Sequence, residues 1–452
     1  MAPLTSMQTI ASPAIDARLT SFNLDRALFF GLLGLLLFGP LAFGAVEPWS
    51  IFVLQAGAAC LFVLWTIRQV MSSEMVIAGN ALFPPLLAFA GLVLVQIVGK
   101  ITAYRYATFS QALLYCAYGL IAFLVVQCLR RTRQIKILTI VLSAYGSLLA
   151  LFALFQSIVP NGKIYWLRPL HSGGWIYGPY VNHNHYAGLM EMLMPIPLVF
   201  AFTHYARGQR KILAAVAAVI MASTIFLSGS RGGMLAFGVQ ISILAAVLVR
   251  RTATKQKALA LGCFLVAVIG LLAWLGGGEL TKRMASIDTE TRTELSGGIR
   301  LNITHDSLRM FAHRPILGWG LGVFEDVYPQ FRSFYTNSLV DEAHNDYAQF
   351  LVEMGALGFG VMLWYVVVLY RKAAKKLHNW THDTNGAVAL ATMLGCTGIL
   401  VHSFVDFNLQ IPANALLFYV FGIIAVMEPR FSVVRKRLGE PQAAFSEIPA
   451  QF

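Results

Sequence analysis

Apolar stretches long enough to cross a bilayer recur about twelve times in this chain and leave little room for anything else. They fall near residues 27–46, 50–67, 81–99, 109–129, 136–158 and 184–203, then near 212–228, 233–249, 257–276, 346–370, 386–405 and 413–428. Over 452 residues the chain is 57% apolar and only 12% charged, with a mean hydropathy of +0.66, a balance that excludes a soluble domain. A helix satisfies its backbone polar groups internally, which the hydrocarbon region demands. The expected fold class is therefore an all-α polytopic membrane protein with about twelve transmembrane helices. The seventh and eighth stretches are short and separated only by residues 228–232, so the count can change by one pair.

Basic residues set the expected orientation, because cytoplasmic loops retain Lys and Arg. With the N-terminus inside, the inner connections hold Arg130-Arg131-Thr132-Arg133, Arg250-Arg251, Arg371-Lys372 and Lys375-Lys376. Both termini are then cytoplasmic, and the long polar segment 277–345 between spans nine and ten faces outward. The organisation expected is a tail at 1–26, helices one to nine over 27–276, an outward loop with short helices at 277–345, helices ten to twelve over 346–428, and a second cytoplasmic tail at 429–452. The net charge of +13 follows from this topology and needs no nucleic-acid partner. No small-residue cleavage site follows a short apolar core, so the first span is expected to stay as an anchor. The five cysteines (Cys60, Cys116, Cys128, Cys263, Cys396) show no ligand spacing, which indicates neither a metal site nor a disulfide framework.

Polar chemistry concentrates in the outward segments. Within the long loop, residues 297–313 read as a short helix with Ile299, Ile303, Met310 and Phe311 on one side and His305, Arg309 and His313 on another. Arg314-Pro315 stops it. Gly318-Trp319-Gly320-Leu321-Gly322 follows as a turn that reads as a flexible hinge, since it has neither the Gly-Lys-Ser/Thr of a phosphate loop nor a dinucleotide-binding context. Arg231, in Leu227-Ser228-Gly229-Ser230-Arg231-Gly232-Gly233, is either a snorkelling arginine in a glycine turn or a bidentate phosphate ligand beside approachable backbone. Arg300 is a second candidate anion ligand, or a solvated loop charge. His344 precedes a helix start that Asn345 or Asp346 can cap. It is either a backbone-bonded helix-start histidine or a base for an attacking hydroxyl, oriented by Asp341, Glu342 or Asp346.

Other candidates are weaker. In Asn182-His183-Asn184-His185 two histidines lack the carboxylate or cysteine partners of a metal site, so Asn184 and His185 read as contacts for sugar hydroxyls or for the loop. His402 and Asp406, four apart, can pair on a helix. Tyr165, Trp166, Trp175, Tyr177 and Tyr180 form either an interface belt or a stacking surface for sugar rings.

Four blocks, in order, resemble the O-antigen ligase and polymerase family. They are Gly178-Pro179-Tyr180-Val181-Asn182-His183-Asn184-His185-Tyr186-Ala187, then Leu227-Ser228-Gly229-Ser230-Arg231-Gly232-Gly233, then Arg300 with Arg314-Pro315-Ile316-Leu317-Gly318-Trp319-Gly320-Leu321-Gly322, and finally Ala343-His344-Asn345-Asp346-Tyr347 with Glu353-Met354-Gly355. The resemblance covers roughly residues 175–410. It implies a GT-C-like glycosyltransferase of the bacterial inner membrane, active at the periplasmic face without a metal or other cofactor. The implied donor is a glycan on undecaprenyl diphosphate, and the acceptor is lipid A–core or a growing glycan. On motif position, Arg231 and Arg300 hold the diphosphate and His344 is the base or acceptor-positioning residue. Asn184, His185, Arg309, Arg314 and Asp346 are possible acceptor or glycan contacts. Lys282, Arg283 and Arg332 could meet a phosphorylated core, which favours ligase over repeat-unit polymerase. A flippase is the alternative of another class. It would place charges near the bilayer midplane, where only Glu353 fits, and Glu353 could pair with an arginine from another helix.

Overall fold

A computed structural model describes residues 13–71, 77–169, 176–252, 255–276, 297–336 and 339–428, with side chains from Asn23 onward except at residues 251, 252, 276, 297 and 298. The chain is an all-α polytopic membrane protein. Its helices are α1 (Pro13–Leu41), α2 (Pro48–Met71), α3 (Phe83–Val98), α4 (Arg105–Cys128), α5 (Thr132–Ile158), α6 (His183–Leu193), α7 (Pro195–Ala201), α8 (Gln209–Leu227), α9 (Arg231–Thr252) and α10 (Lys255–Gly276). Then come α11 (Gly297–His313), the single turn α12 (Phe324–Val327), α13 (Asp346–Lys375), α14 (Thr384–His402) and α15 (Pro412–Val426). The only described sheet is one two-residue hairpin, β1 (Lys163–Ile164) with β2 (Arg168–Pro169).

Each apolar stretch of the sequence becomes helix. Nine of the described helices have the length and apolarity to cross a membrane, while α3 and α15 are shorter apolar helices. The sixth stretch is split into α6 and α7 at Met194, where Pro195 and Pro197 follow and proline cannot donate to the preceding turn. The segment expected as a loose tail at 1–26 instead begins the first helix at Pro13.

Hydrogen bonds between connections fall into two sets that never mix, as alternating crossings require. On one face, Arg168 bonds to Glu47, Arg314 to the carbonyl of Ile101, Arg300 to that of Val405, and His183 to that of Ser228. On the other, the amide of His204 bonds to the carbonyl of Thr381 and Tyr205 bonds to that of His382. The long loop belongs to the first set, hereafter the loop face. At the centre stands α14, whose span is 89% buried and packs against α6, α7, α9 and α15. Helices α2 and α10 are mostly uncovered, and their exposed Phe52, Leu259, Val266 and Trp274 suit contact with lipid.

The described part of the long loop is an ordered layer. Helix α11 has the predicted bounds, and its Ile303 and Met310 are fully buried with Val323, Phe324, Val327, Tyr328 and Val352 in a small core of their own. Asp306 ties that core together by accepting from the backbone and hydroxyl of Ser333 and from Tyr328. Lys282 and Arg283 lie outside the described residues.

The turn expected to be a hinge is instead a docking element. Helix α13 is broken at Gly355 (φ 65°, ψ −171°), which frees backbone groups on either side. The loop takes up four of these. Ala356 donates to Pro315 and Leu357 to Ile316, while Trp319 and Gly320 donate to the carbonyls of Val352 and Glu353. Gln96 of α3 adds bonds to the carbonyls of Leu317 and Glu353 and accepts from Leu321. Gly318 (φ 70°) and Gly355 lie so close to the facing backbone that a Cβ on either would collide with it. Among the described residues no arginine pairs with Glu353. Its carboxylate accepts from the amide of Gly322 at 2.9 Å and from Gln349 at 3.3 Å.

Candidate functional site

Five segments remote in sequence meet on the loop face: the start of α6, the turn before α9, α11, residues 341–346 at the start of α13, and the α14–α15 connection. Asn182 caps α6 by accepting from the amide of Asn184, and this buries His183, Asn184 and His185 at the head of the helix. His183 is fixed by its 2.8 Å contact from Nδ1 to the carbonyl of Ser228. Tyr177 and Tyr180, expected at the interface, are instead 3% and 1% exposed, and Tyr180 donates to Asn414 at 3.0 Å. Asn414 in turn donates to the carbonyl of His185. Tyr165 and Trp166 remain partly exposed, and Trp175 lies outside the described residues.

Arg231 opens α9 and is exposed, with Ser230 capping the helix by accepting from the amide of Gly233. The two glycines after it serve helix packing. A Cβ on Gly232 would collide with His402, and one on Gly233 would sit 3.0 Å from Glu191. Those two partners form a buried pair, His402 Nδ1 to Glu191 Oε1 at 2.8 Å, with Ser230 Oγ 3.3 Å from His402 Nε2. His402 therefore pairs with Glu191 across three helices, and not with Asp406 on its own turn.

Asp406 is the hub of the site. Its carboxylate is 1% exposed and lies 3.6 Å from His185 Nε2 and 3.8 Å from Arg300. Arg300 also donates to the carbonyl of Val405 at 2.9 Å. Burial opposes charge on Asp406, but His185, Arg300 and His402 outweigh it and hold the carboxyl well below its usual range. The neighbouring Phe407 ring receives two imidazoles edge-on, His185 at 4.7 Å and His344 at 4.9 Å.

His344 sits in left-handed backbone (φ 50°), a conformation that strains a residue with a side chain. Its neighbours hold it there. The amide of Ala343 donates to Gln349, and Asn345 caps α13 by accepting from Tyr347 and Ala348. Burial pushes His344 down to about 4, against the opposing pull of Asp406 and with Arg300 adding to the depression. Its Nδ1 has no hydrogen-bond partner among the described residues. Of the acids expected to orient it, Asp346 is committed to Ser403, Leu409 and Gln410, and Glu342 bonds to Gln349. Asp406 acts on it first and Asp341 second.

The structure thus brings Arg300, His185, His344 and Asp406 together. The turn that carries Arg231 packs against the same His402–Asp406 segment through Gly232. Arg309 and Arg314 lie elsewhere. Arg309 reaches Asp306 at 3.6 Å, and Arg314 donates to the carbonyl of Ile101 and lies 4.2 Å from the Trp319 ring. Arg332 is exposed on the loop surface. The role of Asp406 was missed in the sequence. Its one signal was a carboxylate just past the end of a span, at a depth where an unpaired charge is costly.

No curated protein matches the chain. Residues 216–363, from within α8 to within α13, match the family model described as O-antigen ligase. That stretch carries Arg231, Arg300 and His344, and over it the chain is similar to O-antigen ligases.

Proposed function

We propose that this protein is a glycosyltransferase that moves a glycan from undecaprenyl diphosphate to an acceptor hydroxyl at the periplasmic face of the bacterial inner membrane. The observation that carries the reading is the meeting of Arg300, His185, Asp406 and a strained, neutral His344 around Phe407. In the proposed reaction the acceptor oxygen attacks the anomeric carbon of the donor sugar. The bond from that carbon to the phosphate oxygen breaks, and undecaprenyl diphosphate leaves with the electron pair. Arg231 and Arg300 neutralise the charge that builds on the diphosphate, a role guanidinium groups can fill without a metal.

His344 takes the hydroxyl proton on its unpartnered Nδ1, and the fixed negative charge of Asp406 stabilises the imidazolium that forms. Asn184 and His185, at the buried head of α6, are the proposed glycan contacts, and Asp346 holds the α14–α15 connection in place through Ser403, Leu409 and Gln410. The acceptor we favour is lipid A–core, which makes the protein a ligase of lipopolysaccharide assembly.

The test is transfer in vitro by purified protein in EDTA, with undecaprenyl-diphosphate-linked glycan as donor and lipid A–core supplied or omitted. Product only with lipid A–core, lost by about 10²-fold or more in Arg231→Ala, Arg300→Ala and His344→Ala, is the expected result. A ladder of products without lipid A–core would make the protein a repeat-unit polymerase. Full transfer in the folded variants would overturn the site.

A further inference from the structure

The face opposite the long loop carries a second cluster, unconnected with the transfer chemistry. His204, between α7 and α8, and His382, between α13 and α14, stack with ring centroids 3.9 Å apart and planes 18° from parallel. The pairing is built in: the amide of His204 donates to the carbonyl of Thr381, and the hydroxyl of Tyr205 to that of His382. Cations surround it. Arg207 donates to the carbonyl of His204 at 3.3 Å, and Lys136 of α5 lies 5.8 Å from the Tyr205 ring. Lys211 of α8 and Lys257 of α10 also act on His204. Burial first, then His382, Lys257, Arg207 and Lys211, lower the pKa of His204.

Among the described residues no ion pair engages Lys136, Arg207, Lys211 or Lys257. The nearest carboxylate in sequence, Asp383, is already committed to capping α14 through the amides of Asn385 and Gly386. Like charges drawn together from four elements repel one another, and a bound anion would remove that cost. The surface beside them is apolar. Ile212 and Leu213 follow Lys211 on α8, Leu259 follows Lys257 on α10, and all three are about two-thirds exposed. Cations at helix ends above lipid-facing aliphatic side chains match an amphiphile with an anionic head.

We propose that the His204–His382 stack and its ring of cations seat the phosphate headgroup of an anionic phospholipid of the adjoining leaflet. Its acyl chains lie along the exposed faces of α8 and α10. One headgroup would tie together connections that otherwise meet through the two hydrogen bonds named above.

The experiment is native mass spectrometry of the detergent-purified protein, titrated with phosphatidylglycerol or phosphatidylcholine. Lys211→Gln/Lys257→Gln and His382→Ala serve as variants, checked for an unchanged melting midpoint. Phosphatidylglycerol is expected to bind at least tenfold more tightly than phosphatidylcholine, and each variant to lose most of that preference. Equal binding of the two lipids, or an unchanged preference in the Lys211→Gln/Lys257→Gln protein, would overturn the proposal. So would displacement of bound phosphatidylglycerol by inorganic phosphate at matching concentration, which would make a free anion the ligand.

Discussion

Replacing Gly355 with alanine tests whether the break in α13 carries the loop. At φ 65° a residue with a side chain stores about 1–3 kcal/mol of strain. The added Cβ would also collide with the carbonyl of Ile316, pushing the loop away. That displacement strains the bonds from Ala356 to Pro315 and from Leu357 to Ile316, 2.8 and 3.2 Å long, each contributing about 1 kcal/mol. Together these give a loss of about 3–5 kcal/mol, equivalent to roughly 3–5 °C in melting midpoint for a chain of this length. Gly360, one turn further into the same helix, has open space at its Cβ position. Gly360→Ala is therefore expected to leave the midpoint unchanged or raise it slightly, because alanine is the better helix former. The assay is thermal unfolding of both variants in one detergent, followed by tryptophan fluorescence, since Trp319 sits in the displaced turn. Equal midpoints for the two variants would refute the argument that the loop is docked on the break.

Other expectations follow from the site. A neutral His344 places the acid limb of the transfer rate near pH 4, and a limb at the ordinary histidine value of 6.5 would remove it as the base. The same depression means that its contribution to stability is complete above pH 6.5 and disappears as the pH falls through about 4. Arg314→Ala loses a bond to Ile101 and the Trp319 face, costing about 1–3 kcal/mol in stability without changing the acceptor KM. A raised KM with unchanged stability would make Arg314 an acceptor contact. Glu191→Ala leaves His402 buried without its partner and should lower stability by about 3–5 kcal/mol, measured as a lower midpoint than that of Glu191→Gln.

The spans were legible in the sequence because bilayer thickness imposes a length on every helix, and only apolar residues satisfy it. The bounds of α11 were legible too, since its apolar side had a loop core to face. Pairings across the molecule were not. His402 lies four residues from Asp406, a spacing that suggests a local pair, yet its partner Glu191 is 211 residues away. The glycines at 318, 320 and 322 gave the wrong sense altogether. Glycine permits close approach as readily as it permits motion, and only the position of Gln96 and Gly355 decides which applies. For the same reason Tyr177 and Tyr180 looked like interface aromatics until Asn414 was seen to receive one of them.

The break at Gly355 also sets where the protein can be cut and recombined. Across the break, the first turns of α13 are bonded to the loop and to Gln96. A chimera that exchanges the loop between relatives at the apparent start of the span, near Asp346, would therefore split one mechanical unit into two foreign halves. The natural seam lies after Leu357, and the graft must carry a compatible residue at position 96. Such a graft carries Arg300 and His344 as one unit and leaves His185, Arg231 and Asp406 in the scaffold to meet them.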